Sequence, residues 1–193
     1  RLRRLDRRNC LECHATVNGG TARDKKANFT HISPEMMNNA PPGNGNNMTW
    51  EVAKRLRDST KMKVLIKGIL DPEDARECVK YGFDAVQVSN HGGRNDDTGW
   101  STIRALPDIV AAVNKKVPVL IDSGFRRGSD ITKALALGAT AVGIGRPYLW
   151  GLGAFGQEGV ERVLEILRGE LTVAVGQAGC ASIKDLNPGM IKV

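Results

Sequence analysis

The sequence predicts an α/β fold built on parallel strands, and three observations lead there. From residue 49 onward, short apolar runs of strand length alternate with segments of helical period. The runs are near-continuous in apolar residues, as in strands buried on both faces. Glycine, polar and charged residues fall just past each run, and parallel strands bring such ends to one face of a sheet.

The elements follow in order. Trp50, Ala53 and Leu56 recur at helical spacing, so 50–58 is predicted as a short helix. Lys63 to Leu70 (KVLIKGIL) is a strand. Asp71-Pro72-Glu73-Asp74 opens a helix: Asp71 is an N-cap, Pro72 suits the first turn, and the acids favour the positive helix end. Gly82 closes that helix. Ala85 to Asn90 (AVQVSN) is a strand, 101–114 contains a helix, and Pro118 to Asp122 (PVLID) is a strand. Ser129 is expected to cap a helix running to Leu137, closed by Gly138. Ala141 to Gly145 (AVGIG) is the last strand, and Glu158 to Val175 forms a long amphipathic helix.

The first 48 residues differ. Residues 1–8 read RLRRLDRR and supply more than half of the formal charge of +7 carried by the 193 residues. A basic arm suits nucleic acid or an anionic surface, but no basic surface interleaved with aromatics follows it, so no nucleic-acid partner is expected. Residues 15–48, with Gly19-Gly20, Pro41-Pro42 and GNGNN, read as a long loop or lid. The chain begins with Arg rather than Met, which suggests a processed product, a fragment or a trimmed piece. Apolar content of 41% and charged content of 25% exclude wholesale disorder, and no run of 18 apolar residues predicts a membrane span. Without an apolar segment of signal-peptide type, and with Ile191-Lys192-Val193 unlike a peroxisomal tripeptide, a cytoplasmic or mitochondrial location is expected.

Of the four cysteines, Cys78 and Cys180 sit in helix-like contexts and read as small buried apolar residues. Cys10, Cys13 and His14 form C-L-E-C-H, the spacing of covalent c-type haem attachment. The polar stretch before it and the Gly/Asn-rich stretch after it offer no haem pocket, and no metal site is predicted.

The residues past the strands carry the chemistry. Gly124-Phe125-Arg126-Arg127-Gly128 joins a strand to a helix start, where backbone N–H groups suit an anion. Gly145-Arg146 follows the next strand and adds a guanidinium. In Ser89-Asn90-His91-Gly92-Gly93-Arg94, an imidazole that titrates near neutrality can take a proton. The glycines keep that loop low, and Arg94 can hold a carboxylate through two hydrogen bonds. Lys67, at a strand end, is placed to stabilise developing negative charge.

VLIKGI at 64–69, SNHGGR at 89–94, DSGFRRGSDITKALALGA at 122–139 and IGRPYLWGL at 144–152 closely resemble the FMN-dependent 2-hydroxy-acid dehydrogenase/oxidase family. Lactate oxidase, lactate 2-monooxygenase, glycolate oxidase and mandelate dehydrogenase belong to that family. The resemblance covers about residues 49–187, and the family's usual DGG reads DSG here. It implies a (β/α)8 TIM barrel of which this chain holds the C-terminal half, strands five to eight. Residues 1–48 would be the end of the strand-four loop and a lid, residues 49–193 the half-barrel, and the N-terminal half is absent.

The resemblance also implies the cofactor, FMN, and oxidation of an (S)-2-hydroxy acid to a 2-oxo acid. His91 would be the base. Arg94 would grip the substrate carboxylate, with Arg3 as a second clamp from an R-x-x-D-x-R-N pattern. Lys67 and Ser89 would sit at the flavin ring. Asp122, Ser123, Gly124, Phe125 and Arg126, with Gly145 and Arg146, would hold the ribityl phosphate end. The enzyme's partner is then a small 2-hydroxy acid, the full-length protein a homo-oligomer, and the isolated 193 residues inactive. The alternative is a half-barrel that binds FMN or another phosphate ligand without catalysis.

Overall fold

The computed structural model describes residues 49–94 and 99–191. Arg3, the C-L-E-C-H motif and the expected lid at 15–48 lie outside the described residues. Packing divides the chain into two units after Thr60. The described part of the first holds α1 (Trp50–Asp58), whose N-cap Thr49 accepts a hydrogen bond from the Val52 N–H at 3.4 Å.

In the second unit the order is β1 (Leu65–Ile69), α2 (Pro72–Lys80), β2 (Ala85–Val88), α3 (Thr102–Val113), β3 (Val119–Ile121), α4 (Gly128–Ala136), β4 (Ala141–Val142) and α5 (Arg146–Gln177). Two 3-10 turns, Ile183–Asp185 and Pro188–Met190, end it. The four strands form one parallel sheet in the order β1-β2-β3-β4. Among the described residues neither β1 nor β4 has a second neighbour, so the sheet is open at both edges.

Local chemistry explains the boundaries. Asp71 accepts from the Glu73 N–H at 2.8 Å, and Pro72 opens α2. Gly82 (φ +75°) turns the chain out of α2, letting the Phe83 N–H reach the Cys78 carbonyl at 3.1 Å. Gly138 (φ +102°) does the same after α4. The apolar contacts of Val86, Val88, Leu106, Ile109, Val113 and Ile121, all fully buried, form the core between sheet and helices. Cys78 and Cys180 are buried and unpaired by disulfide. Burial, reinforced by the charge of Asp74, pushes the Cys78 thiol up to about 12, so it behaves as an apolar group.

Several expectations need correction. Strands extend less far than their apolar runs: β2 ends at Val88 rather than Asn90, and β4 spans two residues rather than five. The polar ends leave the ladder to build loops. Ser129 does not cap α4; Arg127 holds the cap position, and the Asp130 carboxylate reaches back to the Arg126 and Arg127 N–H groups, both at 3.0 Å. Helix α5 begins at Arg146 and kinks at Phe155–Gly156, so the predicted helix at 158–175 is its second limb. One face of the sheet is more deeply buried than the other. Ile66, Val86, Val119 and Ile121 alternate with Leu65, Lys67, Gln87 and Leu120, and Leu65 stays 43% exposed while Val86 and Ile121 are at 0%. On that second face Gln87 and Leu120 are half-buried and Leu65 and Lys67 exposed.

Candidate active site

The half-open face leads into a cavity of about 440 Å³ at the C-terminal ends of the strands. Strand β1 and the loops after β2, β3 and β4 line it, contributing Lys67, His91, Arg94, Asp122, Arg126 and Arg146. The convergence expected from the sequence is therefore present. A register shift between Lys67 and Ile69, with Gly68 at φ +104°, marks a bulge in β1 immediately after Lys67.

Asp122 organises the floor. Its carboxylate accepts from the hydroxyls of Ser89 and Ser123, the latter at 2.7 Å, and from the Gln87 amide at 2.6 Å. Lys67 Nζ lies 3.4 Å from the same carboxylate and donates to Ser89 Oγ at 2.9 Å. Burial raises the Asp122 pKa, but the hydrogen bonds from Ser89 and Ser123, the Lys67 charge and the Gln87 amide outweigh it, and the net shift is downward. Gly143 lets this cluster close: a Cβ there would lie 3.1 Å from the Asp122 Cβ.

His91 sits in a turn of three left-handed residues, with φ of 57°, 70° and 71° at His91, Gly92 and Gly93. Its N–H donates to Ser89 Oγ at 3.1 Å. Asn90 Oδ1 accepts from the N–H groups of Gly92 and Gly93, at 3.0 and 3.2 Å. Arg146 donates to the Gly92 carbonyl, joining the β4 loop to the β2 loop. Two glycines satisfy these positive φ angles without strain, and His91 is the exception between Asn90 and Gly92. Arg94, exposed, stands at the end of the same turn.

The second cationic region is less free than its sequence suggests. Asp130 takes the N–H groups of Arg126 and Arg127, and Glu170 Oε2 takes the Gly128 N–H at 2.8 Å. The expected anion site on the α4 N–H groups is thus already filled by carboxylates. Arg127 pairs with Glu170 at 2.9 Å and faces away from the cavity lining. Arg126 does line it, with its guanidinium 5.0 Å from the Trp150 ring and Nη1 donating to the Phe125 carbonyl at 2.7 Å. Gly124 and Gly145 also line it, and a Cβ at either would meet no heavy atom within 4 Å. Sequence reasoning missed Gln87, Trp150 and the capture of helix N–H groups by Asp130 and Glu170. Gln87 was legible as the polar residue inside an apolar strand; Glu170, 42 residues from Gly128, left no local signal.

Residues 3–193 match the family described as FMN-dependent dehydrogenase. The chain belongs to the FMN-dependent dehydrogenase family. That family is a TIM-barrel fold with FMN as its cofactor. The chain is 41% identical to L-lactate oxidase from Nostoc sp., covering 94% of this chain and 56% of that protein. It is 50% identical to pre-mycofactocin synthase from Mycobacterium tuberculosis, over 82% of this chain and 39% of that protein. Among solved structures, mandelate oxidase with (S)-4-hydroxymandelic acid superposes with a TM-score of 0.71 at 47% identity, covering 73% of this chain and 40% of the other. The chain thus spans about half, or less, of the length of these relatives. No described helix is long and apolar enough to cross a membrane, and no three His, Cys, Asp or Glu side chains among the described residues gather as a metal site.

Proposed function

We propose that the chain is the C-terminal half, strands five to eight, of an FMN-dependent barrel that oxidises a lactate-like (S)-2-hydroxy acid to a 2-oxo acid. The observation that carries this reading is the meeting of Lys67, His91, Arg94, Arg126 and Arg146 around one cavity. Residues 49–193 supply the half-barrel, and residues 1–48 the end of the preceding loop and a lid. The open edges of β1 and β4 and the less buried sheet face support a missing N-terminal half.

FMN fits the residues present. The cavity is in the size range of small-molecule sites, about 300–1,000 Å³. Gly124 and Gly145 leave room at its phosphate end, where Arg126 and Arg146 supply positive charge. Phe125, buried beneath that loop, fixes its path. Asp122, an anion, repels phosphate and is suited to the ribityl hydroxyls instead. Ser123, whose hydroxyl is already engaged, would meet the cofactor with its main chain. Lys67, which lines the cavity, would stand at the ring, with the buried Ser89 hydroxyl holding its ammonium from behind.

In the reaction the hydroxy acid loses two electrons and two protons. Arg94, with Arg3, grips its carboxylate. His91 takes one proton from the carbinol group and holds it on the imidazole. Lys67, 3.4 Å from the Asp122 carboxylate, would be placed to stabilise negative charge developing on the bound cofactor. When bound, FMN supplies the acceptor for the electron pair and the second proton.

Anaerobic addition of L-lactate or a related acid to the flavin-loaded protein is expected to bleach the oxidised-flavin band near about 450 nm. His91→Ala is expected to slow the bleaching by about 10²–10⁴-fold. Full-rate bleaching in that variant, or none with any 2-hydroxy acid in the parent, overturns the reading. Arg126 and Arg146 beside the open Gly124 and Gly145 support a second reading, a half-barrel that binds FMN without catalysis. Stoichiometric FMN binding by residues 1–193 with no turnover, alone or joined to the other half, would support it.

A further inference from the structure

Asp122-Ser123-Gly124 follows β3, and the serine at its centre is not passive. Ser123 holds φ +76°, a left-handed backbone that glycine adopts freely and serine does not. Its hydroxyl is used twice. It donates to Asp122 Oδ1 at 2.7 Å and accepts the Gly92 N–H at 3.0 Å. Gly92 is the residue after His91. The hydroxyl proton is therefore spent on Asp122 and is not available to a phosphate oxygen, which can only accept.

The contact completes a chain across three loops. Lys67 donates to Ser89, Ser89 donates to Asp122, Ser123 donates to the same carboxylate oxygen, and Gly92 donates to Ser123. The Gly92 carbonyl is held from the other side by Arg146. A glycine at 123 would keep the backbone path and lose the link, and Asn90 Oδ1 would be left as the sole acceptor of the Gly92 N–H.

We propose that Ser123 is a positioning residue that fastens the His91 loop to the Asp122–Lys67 cluster through the Gly92 N–H. It acts on the reaction through His91 and touches no reacting atom. This rests on the reading of His91 as the base.

The test compares Ser123→Ala, which keeps the backbone constraint and deletes the hydroxyl, with Ser123→Gly, which removes both. Hydrogen exchange of the Gly92 amide reads the link without reference to flavin. Protection is expected to fall about tenfold in both variants, the loss of one hydrogen bond. Ser123→Gly is expected to be the more heat-stable of the two, and it keeps the test usable if Ser123→Ala folds poorly. In the flavin-loaded protein, the limiting rate of flavin reduction by a 2-hydroxy acid is expected to fall at least tenfold in both, with little change in KM.

Parental Gly92 protection in Ser123→Gly overturns the proposal, since Asn90 would then suffice. Lost protection with an unchanged reduction rate overturns the positioning role. A slowed rate that tracks weakened FMN binding also overturns it, placing Ser123 in cofactor binding. Failure of the parent to reduce flavin strikes the hydroxy-acid reading and takes the rate arm with it, while the exchange arm still stands or falls on Gly92.

Discussion

Asp122 shows how one carboxylate can set the character of a site. Four donors converge on it, and its pKa is lowered despite burial. A carboxyl depressed in the folded state adds stability above its unfolded pKa, near about 3.9, and that contribution is lost as pH falls through the lower folded value. Asp122→Asn is therefore expected to be about 1–3 kcal/mol less stable at pH 7, by denaturant unfolding. The gap should narrow steadily as pH drops below about 4. A gap of constant size down to about pH 2 would show that the charge does not matter. The types and positions of Lys67, His91, Arg94 and Asp122 were legible in the sequence because each follows an apolar run. Their pairings were not, since Lys67–Asp122 and Gly92–Ser123 join residues on different loops, and only the sheet register brings them together.

At the scale of elements, α4 and α5 pack closely because Gly128 has no side chain. A Cβ there would lie 2.1 Å from the Leu171 N and 2.3 Å from the Glu170 carbonyl carbon, both backbone atoms that cannot step aside. Gly128→Ala is expected to cost at least about 2 kcal/mol in denaturant unfolding, at the upper end of overpacking effects. It should also break the Gly128 N–H bond to Glu170. A variant as stable as the parent would mean the two helices separate at little cost. Helix positions were readable from caps such as Asp71 and from glycines 82 and 138. The cap of α4 was misread because Ser129 is the familiar cap residue, whereas the helix starts earlier, at Gly128, and Asp130 in its first turn reaches back to the Arg126 and Arg127 N–H groups.

For the whole molecule, the parallel order was implied by strand–helix alternation, while burial on both faces was not realised. Near-continuous apolar runs are the pattern of strands buried on both faces, and Leu65 remains 43% exposed among the described residues. On the proposed half-barrel reading, closing the barrel would pair the outer edges of β1 and β4. Amide exchange in β1 and β4 is therefore expected to be at least tenfold slower in a protein holding both halves than in residues 1–193 alone, with β2 and β3 much less affected. Equal exchange at the edges in both would argue that the sheet stays open.

The kink in α5 carries a mechanical consequence. Gly151 and Gly159 meet backbone to backbone across it: a Cβ on Gly159 would fall 1.9 Å from the Gly151 carbonyl oxygen. From that fulcrum to Glu170 the second limb runs 11 residues, a rigid arm of about 16 Å. Glu170 holds the Gly128 N–H and Arg127 at the arm's tip. Each degree of rotation at the glycine pair moves that tip by about 0.3 Å. Two glycines thus fix where the second limb of α5 lies against the arginine loop.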